Sequence, residues 1–471
     1  MSFDPSVFKA YDVRGLYPEE VNETLAEQLG RAFVAYTGAR RIAVSRDMRL
    51  SSPTLTTAFI EGALTQGADV VDIGLNGTDQ MYFAVARDGH DGGAQITASH
   101  NPGQYNGIKL VGRQALPLSG DAGISDIRDM LLTGAIPAPA AARGRYTEAD
   151  VFEDYIEHVL TFIDLGAIKP FSLVLDAGCG MAGQVAPALF DRLPCRTTRL
   201  CFTVDGSFPT HEANPLIEEN RRDIVDAVRA ESADAGIAWD GDADRCFFID
   251  GGGEFISGDF ITALLAEAFL RKTPGAKILY DVRASWAVKD TVSAHGGEAL
   301  MNRVGHAFFK KRMRDENAVF GGEVTGHYYF RDYFYADNGF IPALLLLELM
   351  SVRGESLSDL LAPLRARYFI SGEINTTLED QRAVPDKLAA IAARYADGTV
   401  YTMDGVSVEY PTWHFNVRPS NTEPLLRLNL EGSTQAEMES RRDEILDLIR
   451  ASGRPLEPIS RARSPGPDAA Q

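Results

Sequence analysis

Ser99 stands in the run Thr97-Ala98-Ser99-His100-Asn101-Pro102, after the apolar stretch Ala94-Gln95-Ile96 and before the turn signal Asn101-Pro102. A serine placed so is either an ordinary turn hydroxyl or a reactive group. It lacks the Gly-x-Ser-x-Gly setting of a hydrolase nucleophile, and with His100 as its chain neighbour no side-chain triad is evident. A second run, Asp240-Gly241-Asp242-Ala243-Asp244-Arg245, follows another apolar stretch, Gly236-Ile237-Ala238-Trp239. In extended backbone, residues i, i+2 and i+4 share a side, so the spacing predicts three carboxylates on one side of the chain. Carboxylates about 5 Å apart repel by about 3 kcal/mol per pair at an effective dielectric of about 20. A proton or a cation must relieve that, and all-oxygen donors favour Mg²⁺, Mn²⁺ or Ca²⁺ over zinc. An EF-hand is excluded, because Arg245 stands where that loop needs glycine and Gly251 where it needs glutamate. The other reading is a solvated acidic turn. A serine acting with a hard cation points to phosphoryl rather than acyl chemistry, since phosphate oxygens complete a Mg²⁺ shell well.

Two further loops offer chemistry. Arg418, Ser420, Asn421 and Thr422, in Arg418-Pro419-Ser420-Asn421-Thr422-Glu423-Pro424, bring a guanidinium, hydroxyls and backbone N–H groups into one tight turn. That combination clamps phosphate; read plainly, it is a hairpin connection. Glu323, Thr325 and His327, in Glu323-Val324-Thr325-Gly326-His327, offer carboxylate, hydroxyl and imidazole. These suit sugar hydroxyls or proton transfer, and a capped turn reads equally well.

The elements that must position these loops alternate short β-type runs with amphipathic stretches. Val21, Leu25, Leu29, Phe33 and Tyr36 fall on one helical face, Ser52-Pro53 opens a second helix that Gly67 closes, and Val70-Val71-Asp72-Ile73 reads as a strand. The plan recurs. Arg41-Ile42-Ala43-Val44, Ser172-Leu173-Val174-Leu175 and Lys277-Ile278-Leu279-Tyr280 each open a unit in which a later strand ends at Ser99, at Asp240 or at Glu323. In open α/β sheets ligands bind beyond the carboxyl ends of strands. The last part differs: Trp413, Phe415 and Val417 alternate with polar residues, as do Leu426, Leu428 and Leu430, and a helix is expected from about Thr434 to Ile449. The expected fold class is therefore α/β, with three similar mixed-sheet α/β domains plus a smaller C-terminal α+β domain. Their expected limits are residues 1–145, 146–252, 253–366 and 367–458, with 459–471 a disordered tail. The Ala- and Pro-rich segment 134–144 is a candidate linker, and Gly251-Gly252-Gly253 is either a boundary or a hairpin turn.

A chain of 471 residues is too long for one core. Its net charge of −20 repels nucleic acid and anionic membrane, so neither is an expected partner. It would repel a phosphorylated substrate too, so a phosphate cleft needs its own local arginines and lysines. The four cysteines show no Cys-x-x-Cys spacing and read as buried thiols of a reducing cytoplasm. The N-terminal residues lack the basic and apolar regions of a signal peptide. The longest apolar run, Phe340 to Leu347, is far short of the roughly 20 residues that span a bilayer and reads as a core helix.

In combination the motifs are far more specific than any one alone. Phe8-Lys9-Ala10-Tyr11-Asp12-Val13-Arg14-Gly15, the Ser99 run, the Asp240 run, Gly322 to His327 and Arg418 to Pro424 occur in that order. Together they resemble the α-D-phosphohexomutase family, most closely its bacterial phosphomannomutase/phosphoglucomutase branch, over nearly the whole chain except the tail. The resemblance implies four domains around a central cleft, each carrying one motif. It implies an intramolecular phosphotransferase that interconverts hexose 1-phosphate and hexose 6-phosphate, with mannose or glucose phosphates as partners. It implies Ser99 as the phosphoserine, one Mg²⁺ per chain on Asp240, Asp242, Asp244 and Ser99, and hexose 1,6-bisphosphate as intermediate and activator. Arg14, Lys109 and His327 become candidates for proton transfer and charge stabilisation, and His100 is counted with them as catalytic. By the same resemblance Tyr11 and His306 contact substrate in the cleft, and Arg245 lies beside the metal loop. Glu323 and Thr325 recognise sugar hydroxyls, and Arg418, Ser420, Asn421 and Thr422 hold the phosphate remote from the reacting centre. Thr325 stands where serine is commoner, and Arg283, a substrate-binding candidate, where lysine is often found. Asn421 stands where the phosphoglucosamine mutase branch usually has glycine, which favours mannose or glucose phosphates. Phosphoglucosamine mutase, a phosphatase and a non-catalytic sugar-phosphate sensor are the competing readings.

Overall fold

The computed structural model describes residues 3–120, 123–378, 381–420 and 425–450, which form two compact units, 1–365 and 366–471. Three sheets lie in the first unit and one in the second. The first sheet runs in the order Asp12–Leu16, Tyr105–Gly112, Gly92–Ile96, Arg41–Arg46, Asp69–Leu75, Tyr146–Glu148. The second runs Phe255–Ile256, Cys246–Asp250, Ala235–Trp239, Ser172–Asp176, Arg196–Leu200. The third runs Glu298–Asn302, Lys277–Asp281, Phe320–Gly322, Tyr328–Phe330, Ala336–Asp337.

One rule builds all three. A strand that pairs in parallel with its unit's opening strand turns back and pairs antiparallel with the next strand in the chain. This holds for Gly92–Ile96 with Tyr105–Gly112, Ala235–Trp239 with Cys246–Asp250, and Phe320–Gly322 with Tyr328–Phe330. The Ser99, Asp240 and Glu323 loops are those three connections. The parallel partner buries the strand on both faces, while the hairpin return forces a polar turn at its carboxyl end. In the second unit Trp413–Pro419 and Leu425–Gly432 pair antiparallel, so Ser420 follows the first strand of a hairpin there as well. That sheet is antiparallel throughout, backed by helices Val384–Arg394 and Gln435–Arg450.

Several expectations shift in detail. The Gly251–Gly253 run is a hairpin turn: Asp250 N donates to Glu254 O at 3.0 Å, and the second sheet continues into Phe255–Ile256. The first sheet likewise takes in Tyr146–Glu148. Helix Glu23–Thr37 begins after Val21, because Asn22 caps it by accepting from Leu25 N at 3.0 Å, and Tyr36 is 41% exposed rather than on the buried face. The apolar run from Phe340 forms helix Ile341–Arg353, buried over most of its length; its Glu348 pairs with Lys272 and accepts from Asp164 N. Among the described residues no helix is long and apolar enough to cross a membrane.

Asp79 ties the three sheets of the first unit. Its carboxyl accepts from Tyr155 OH and from Asn338 Nδ2, and its carbonyl accepts from Tyr333 OH at 2.8 Å. The side chain is wholly buried, and burial pushes its carboxyl well above the usual range. Asp79→Ala should leave the Tyr155 hydroxyl and the Asn338 amide short of partners and cost about 2–3 kcal/mol. Denaturant titration checks this: the first unit's transition should move to lower denaturant, and Asp79→Asn, which keeps an acceptor, should move it less.

Candidate active site

The Ser99 loop is shaped by a side chain 50 residues upstream. Arg49 is buried, and its guanidinium donates to Ser99 O at 2.8 Å, Asn101 O at 2.6 Å, Pro102 O at 2.8 Å and Tyr105 O at 3.0 Å. Its Nε faces Asp47 Oδ2 at 3.2 Å, which balances the charge. Arg14 Nη1 adds a bond to Asn101 Oδ1 at 2.7 Å, while its other end pairs with Asp12. Held this way, Ser99 adopts φ 51°, in the left-handed region, and is 1% exposed. Such backbone persists only where the surroundings enforce it. The Ser99 hydroxyl donates to Asp240 Oδ2 at 2.8 Å and lies 3.2 Å from His100 Nδ1. Burial, then the charges of Arg245 and Arg14, push the His100 imidazole well below its ordinary value, so it is neutral near pH 7.

The three aspartates converge for a different reason from the one their spacing suggests. The segment is a turn rather than extended backbone: Ala243 has φ 60°, and Ala243 N donates to Asp240 O at 3.1 Å. The turn folds the carboxylates inward until one oxygen from each lies within 4.8 Å of the other two, each residue no more than 1% exposed. Gly241 permits the meeting of the two loops, since a Cβ there would stand 2.5 Å from Ser99 O. Lys109 Nζ donates to Asp242 Oδ2 at 2.7 Å and Asp244 Oδ2 at 2.6 Å, and the Thr78 hydroxyl also donates to Asp242. Burial lowers the Lys109 ammonium's pKa, but Asp242 and Asp244 outweigh it and hold the group above its usual value. Burial also raises Asp242, but the Lys109 charge and the bonds from Lys109 and Thr78 carry it below the carboxylate range. Asp240 goes the other way, pushed up to about 7 by burial and by its two acidic neighbours, against the partial relief of Arg245 Nε at 3.5 Å.

Asp242 Oδ1 and Asp244 Oδ1 are buried and accept no hydrogen bond. Oxygen atoms of that kind, three carboxylates and an adjacent hydroxyl, fit a hard divalent cation.

The third loop joins from the side. His327 Nδ1 lies 2.9 Å from Asp337 Oδ2 and 3.9 Å from Asp244 Oδ1. Fully buried Lys310 pairs with the other Asp337 oxygen at 2.7 Å. Glu323 accepts from Tyr329 OH and from Gly305 N at 3.1 Å. Arg283 bonds both Asp281 oxygens, at 2.9 and 2.8 Å, and lies 3.6 Å from Glu323. Thr325 is half-buried in the turn between Glu323 and His327. Tyr11 packs its ring 4.9 Å from that of His306, which lies 6.2 Å from that of His327. Gly305, at φ 124°, makes room, because a Cβ would stand 2.1 Å from Tyr11 OH.

In the second unit Arg418 is 3% exposed and lies 3.4 Å from Glu373, which also pairs with Arg427 at 3.0 Å. Arg427 Nη2 donates to Ser420 Oγ at 3.2 Å. Asn421 and Thr422 lie outside the described residues.

The structure thus gathers Ser99, His100, Lys109, Arg245 and the three aspartates directly, with Arg14 and His327 one contact away. Sequence reading missed Arg49, Thr78, Lys310, Asp337 and Arg427. An available signal for Arg49 was Asp47-Met48-Arg49, a charged pair just after an apolar strand.

A serine hydroxyl bonded into a buried carboxylate cluster, on repeated mixed sheets, defines a group-transfer protein suited to phosphate. Profiles described as phosphoglucomutase/phosphomannomutase match the chain in series: alpha/beta/alpha domain I at residues 5–134, II at 153–253, III at 257–368 and the C-terminal domain at 373–448. A phosphomannomutase of Escherichia coli is 44% identical over 453 residues, 94% of this chain and 99% of that protein. A protein described as phosphohexose mutases from Xanthomonas campestris is 44% identical over 449 residues, 94% of this chain and 99% of that protein. The crystal structure of a phosphoglucomutase/phosphomannomutase family protein from Burkholderia thailandensis superposes with a TM-score of 0.85 at 33% identity, covering 95% of this chain and 98% of that one. The chain belongs to the phosphoglucomutase/phosphomannomutase family.

Proposed function

We propose that this protein interconverts hexose 1-phosphates and hexose 6-phosphates, with mannose and glucose phosphates as substrates, through a phosphoserine at Ser99. The observation that carries the reading is the Ser99 hydroxyl, 2.8 Å from Asp240 within the carboxylate cluster. Phosphorylated Ser99 gives its phosphoryl group to the free hydroxyl of a bound hexose phosphate. The resulting hexose 1,6-bisphosphate turns over, and its other phosphate returns to Ser99. Asp240, Asp242 and Asp244 would hold Mg²⁺, which when bound supplies charge neutralisation at the phosphoryl oxygens. Lys109 pairs with Asp242 and Asp244, and Arg245 faces Asp240. His327, which pairs with Asp337 at 2.9 Å, would exchange a proton with the sugar hydroxyl. Glu323, Thr325 and Arg283 would read sugar hydroxyls with Tyr11 and His306 beside them. Arg418, Ser420, Asn421 and Thr422 would bind the remote phosphate. In this reading the chain carries four modules, at residues 1–145, 146–252, 253–366 and 367–458.

The 44% identity to phosphomannomutases supports mannose and glucose phosphates over glucosamine phosphate. Parallel turnover of mannose, glucose and glucosamine 1-phosphates tests this. The first two should be converted to 6-phosphates with little free phosphate; glucosamine 1-phosphate as the best substrate, or phosphate release as the main reaction, would sink it.

Arg49 is a positioning residue in this scheme. Arg49→Met should leave four loop carbonyls without their donor and displace Ser99, lowering kcat about 10²-fold. Steady-state kinetics should find KM little changed. Loss of the same size in KM alone would place Arg49 in substrate binding instead.

A further inference from the structure

A second polar cluster lies in the second sheet, on residues the proposed reaction does not use. Asp176 closes strand Ser172–Asp176, and Cys201 follows its parallel neighbour Arg196–Leu200, so both emerge at the same sheet end. His211 returns to them from the following loop. Its Nε2 lies 3.1 Å from Asp176 Oδ2 and 3.7 Å from Cys201 Sγ, and all three ligand atoms fall within 4.8 Å of one another.

The distances match the edges of a coordination tetrahedron. With metal–nitrogen and metal–oxygen bonds of about 2.0 Å and a metal–sulfur bond of about 2.3 Å, those edges are about 3.3 Å for N···O and about 3.5 Å for N···S. The outer contacts match too. His211 Nδ1 lies 2.9 Å from Glu212 O, which can only accept, so Nδ1 carries a proton and Nε2 turns its lone pair inward. A ring nitrogen anchored to a backbone carbonyl is the usual support of a metal-bound histidine. Asp176 Oδ1 is likewise fixed by Gly178 N at 2.9 Å. An inward lone pair facing a carboxylate needs a positive charge between them, either a proton or a metal ion.

We propose that Asp176, Cys201 and His211 form a zinc-type site, holding one borderline-soft divalent cation by a carboxylate oxygen, a thiolate and an imidazole nitrogen. The Cys179 thiol shares a hydrogen bond with that of Cys201. Thiolate and imidazole donors separate this site from the all-oxygen aspartate cluster, which takes hard cations. Cys201 and His211 are partly exposed, so an ion can reach them. The site also bears on the aspartate loop: Met181 N, two residues beyond Cys179, donates to Gly241 O at 2.9 Å. An ion here braces the turn that carries Asp240 and Asp242. Metal-free, the cluster holds an imidazolium, since the Asp176 bond pushes His211 up to about 9, and a neutral thiol, since burial pushes Cys201 up to about 12. Binding therefore releases both protons.

The test uses the full-length protein, stripped with a chelator, held in excess Mg²⁺ and titrated with Co²⁺ as the probe. One Co²⁺ per chain should give a thiolate-to-cobalt charge-transfer band with the intense d–d bands of a tetrahedral site, and Zn²⁺ should displace it. Cys201→Ser should abolish the charge-transfer band, His211→Gln should weaken Co²⁺ binding at least about tenfold, and Asp242→Asn should leave the spectrum intact. No charge-transfer band in the wild-type protein, or a band that survives Cys201→Ser and vanishes in Asp242→Asn, would overturn the assignment.

Discussion

Ser99→Ala is expected to yield a folded protein whose conversion of hexose 1-phosphates is reduced about 10⁴-fold or more. The fold should survive because the loop does not depend on the hydroxyl. Arg49 holds the loop through backbone carbonyls, and Ser99 N donates to Thr97 Oγ1 at 2.9 Å. The hydroxyl's own contacts are Asp240 and His100. The loss should be large because no nearby group substitutes. His100 is held neutral by burial and by two arginine charges, and the surrounding carboxylates would make a phosphoryl carrier only at the cost of their cation. The same variant should take up no covalent phosphate from hexose 1,6-bisphosphate, where wild-type protein gains a single phosphoryl group that maps to Ser99. Sugar phosphate binding should persist, because the groups proposed to hold it lie elsewhere. A Ser99→Ala protein that keeps more than about a tenth of wild-type turnover, or that is phosphorylated to the same extent, would remove the proposed carrier.

Much of this site was legible in the sequence because its parts are local. An apolar run followed by a polar turn marks a strand end, and Ser99, Asp240 and Glu323 each sit just past one. The unlike residue types in each loop carried the chemistry. What the sequence left obscure was non-local. The alternation of Asp240, Asp242 and Asp244 looks like strand periodicity, yet the carboxylates converge because Ala243 turns into the left-handed region, which no side-chain pattern announces. That all three loops are hairpin returns depends on which strands pair, and pairing is set by the packing of whole sheets. Arg49 reads as a surface arginine until its four carbonyl acceptors are seen, the farthest of them 56 residues along the chain. Asp79 reads as a helix-start acid, a helix N-terminus being where carboxylates are favoured, yet its partners come from Tyr155, Tyr333 and Asn338. The second cluster was hidden for the same reason. Asp176, Cys201 and His211 have no motif spacing, and only the parallel pairing of two strands brings them together.

Asp242→Asn should be the most damaging substitution among the carboxylates that leaves the backbone in place. The cluster has three carboxylates against two nearby cations, Lys109 and Arg245, and so a net charge of one negative. A divalent cation adds two positive charges, and a phosphoryl group on Ser99 brings about two negative ones near neutral pH. The two cancel, leaving the sum at one negative charge, and the cation is held only while the aspartates stay ionised. Asp242 meets that condition, because Lys109 and Thr78 hold it below the usual carboxylate range despite its burial. Asparagine keeps the shape, and the backbone bond from Thr78 N to the carbonyl of residue 242 at 3.2 Å is untouched. It removes the charge and an oxygen that accepts no bond, Asp242 Oδ1, an atom suited to a cation. The Mg²⁺ concentration for half-maximal activity should therefore rise about 10–100-fold. The rate at saturating Mg²⁺ should fall about 10²-fold, because a developing phosphoryl charge meets weaker neutralisation. Titrating activity with Mg²⁺ after chelator treatment separates the two effects. An unchanged Mg²⁺ requirement in Asp242→Asn, with the fold intact by thermal melting, would mean that the aspartates act on Lys109 and Arg245 alone and that the cation acts elsewhere.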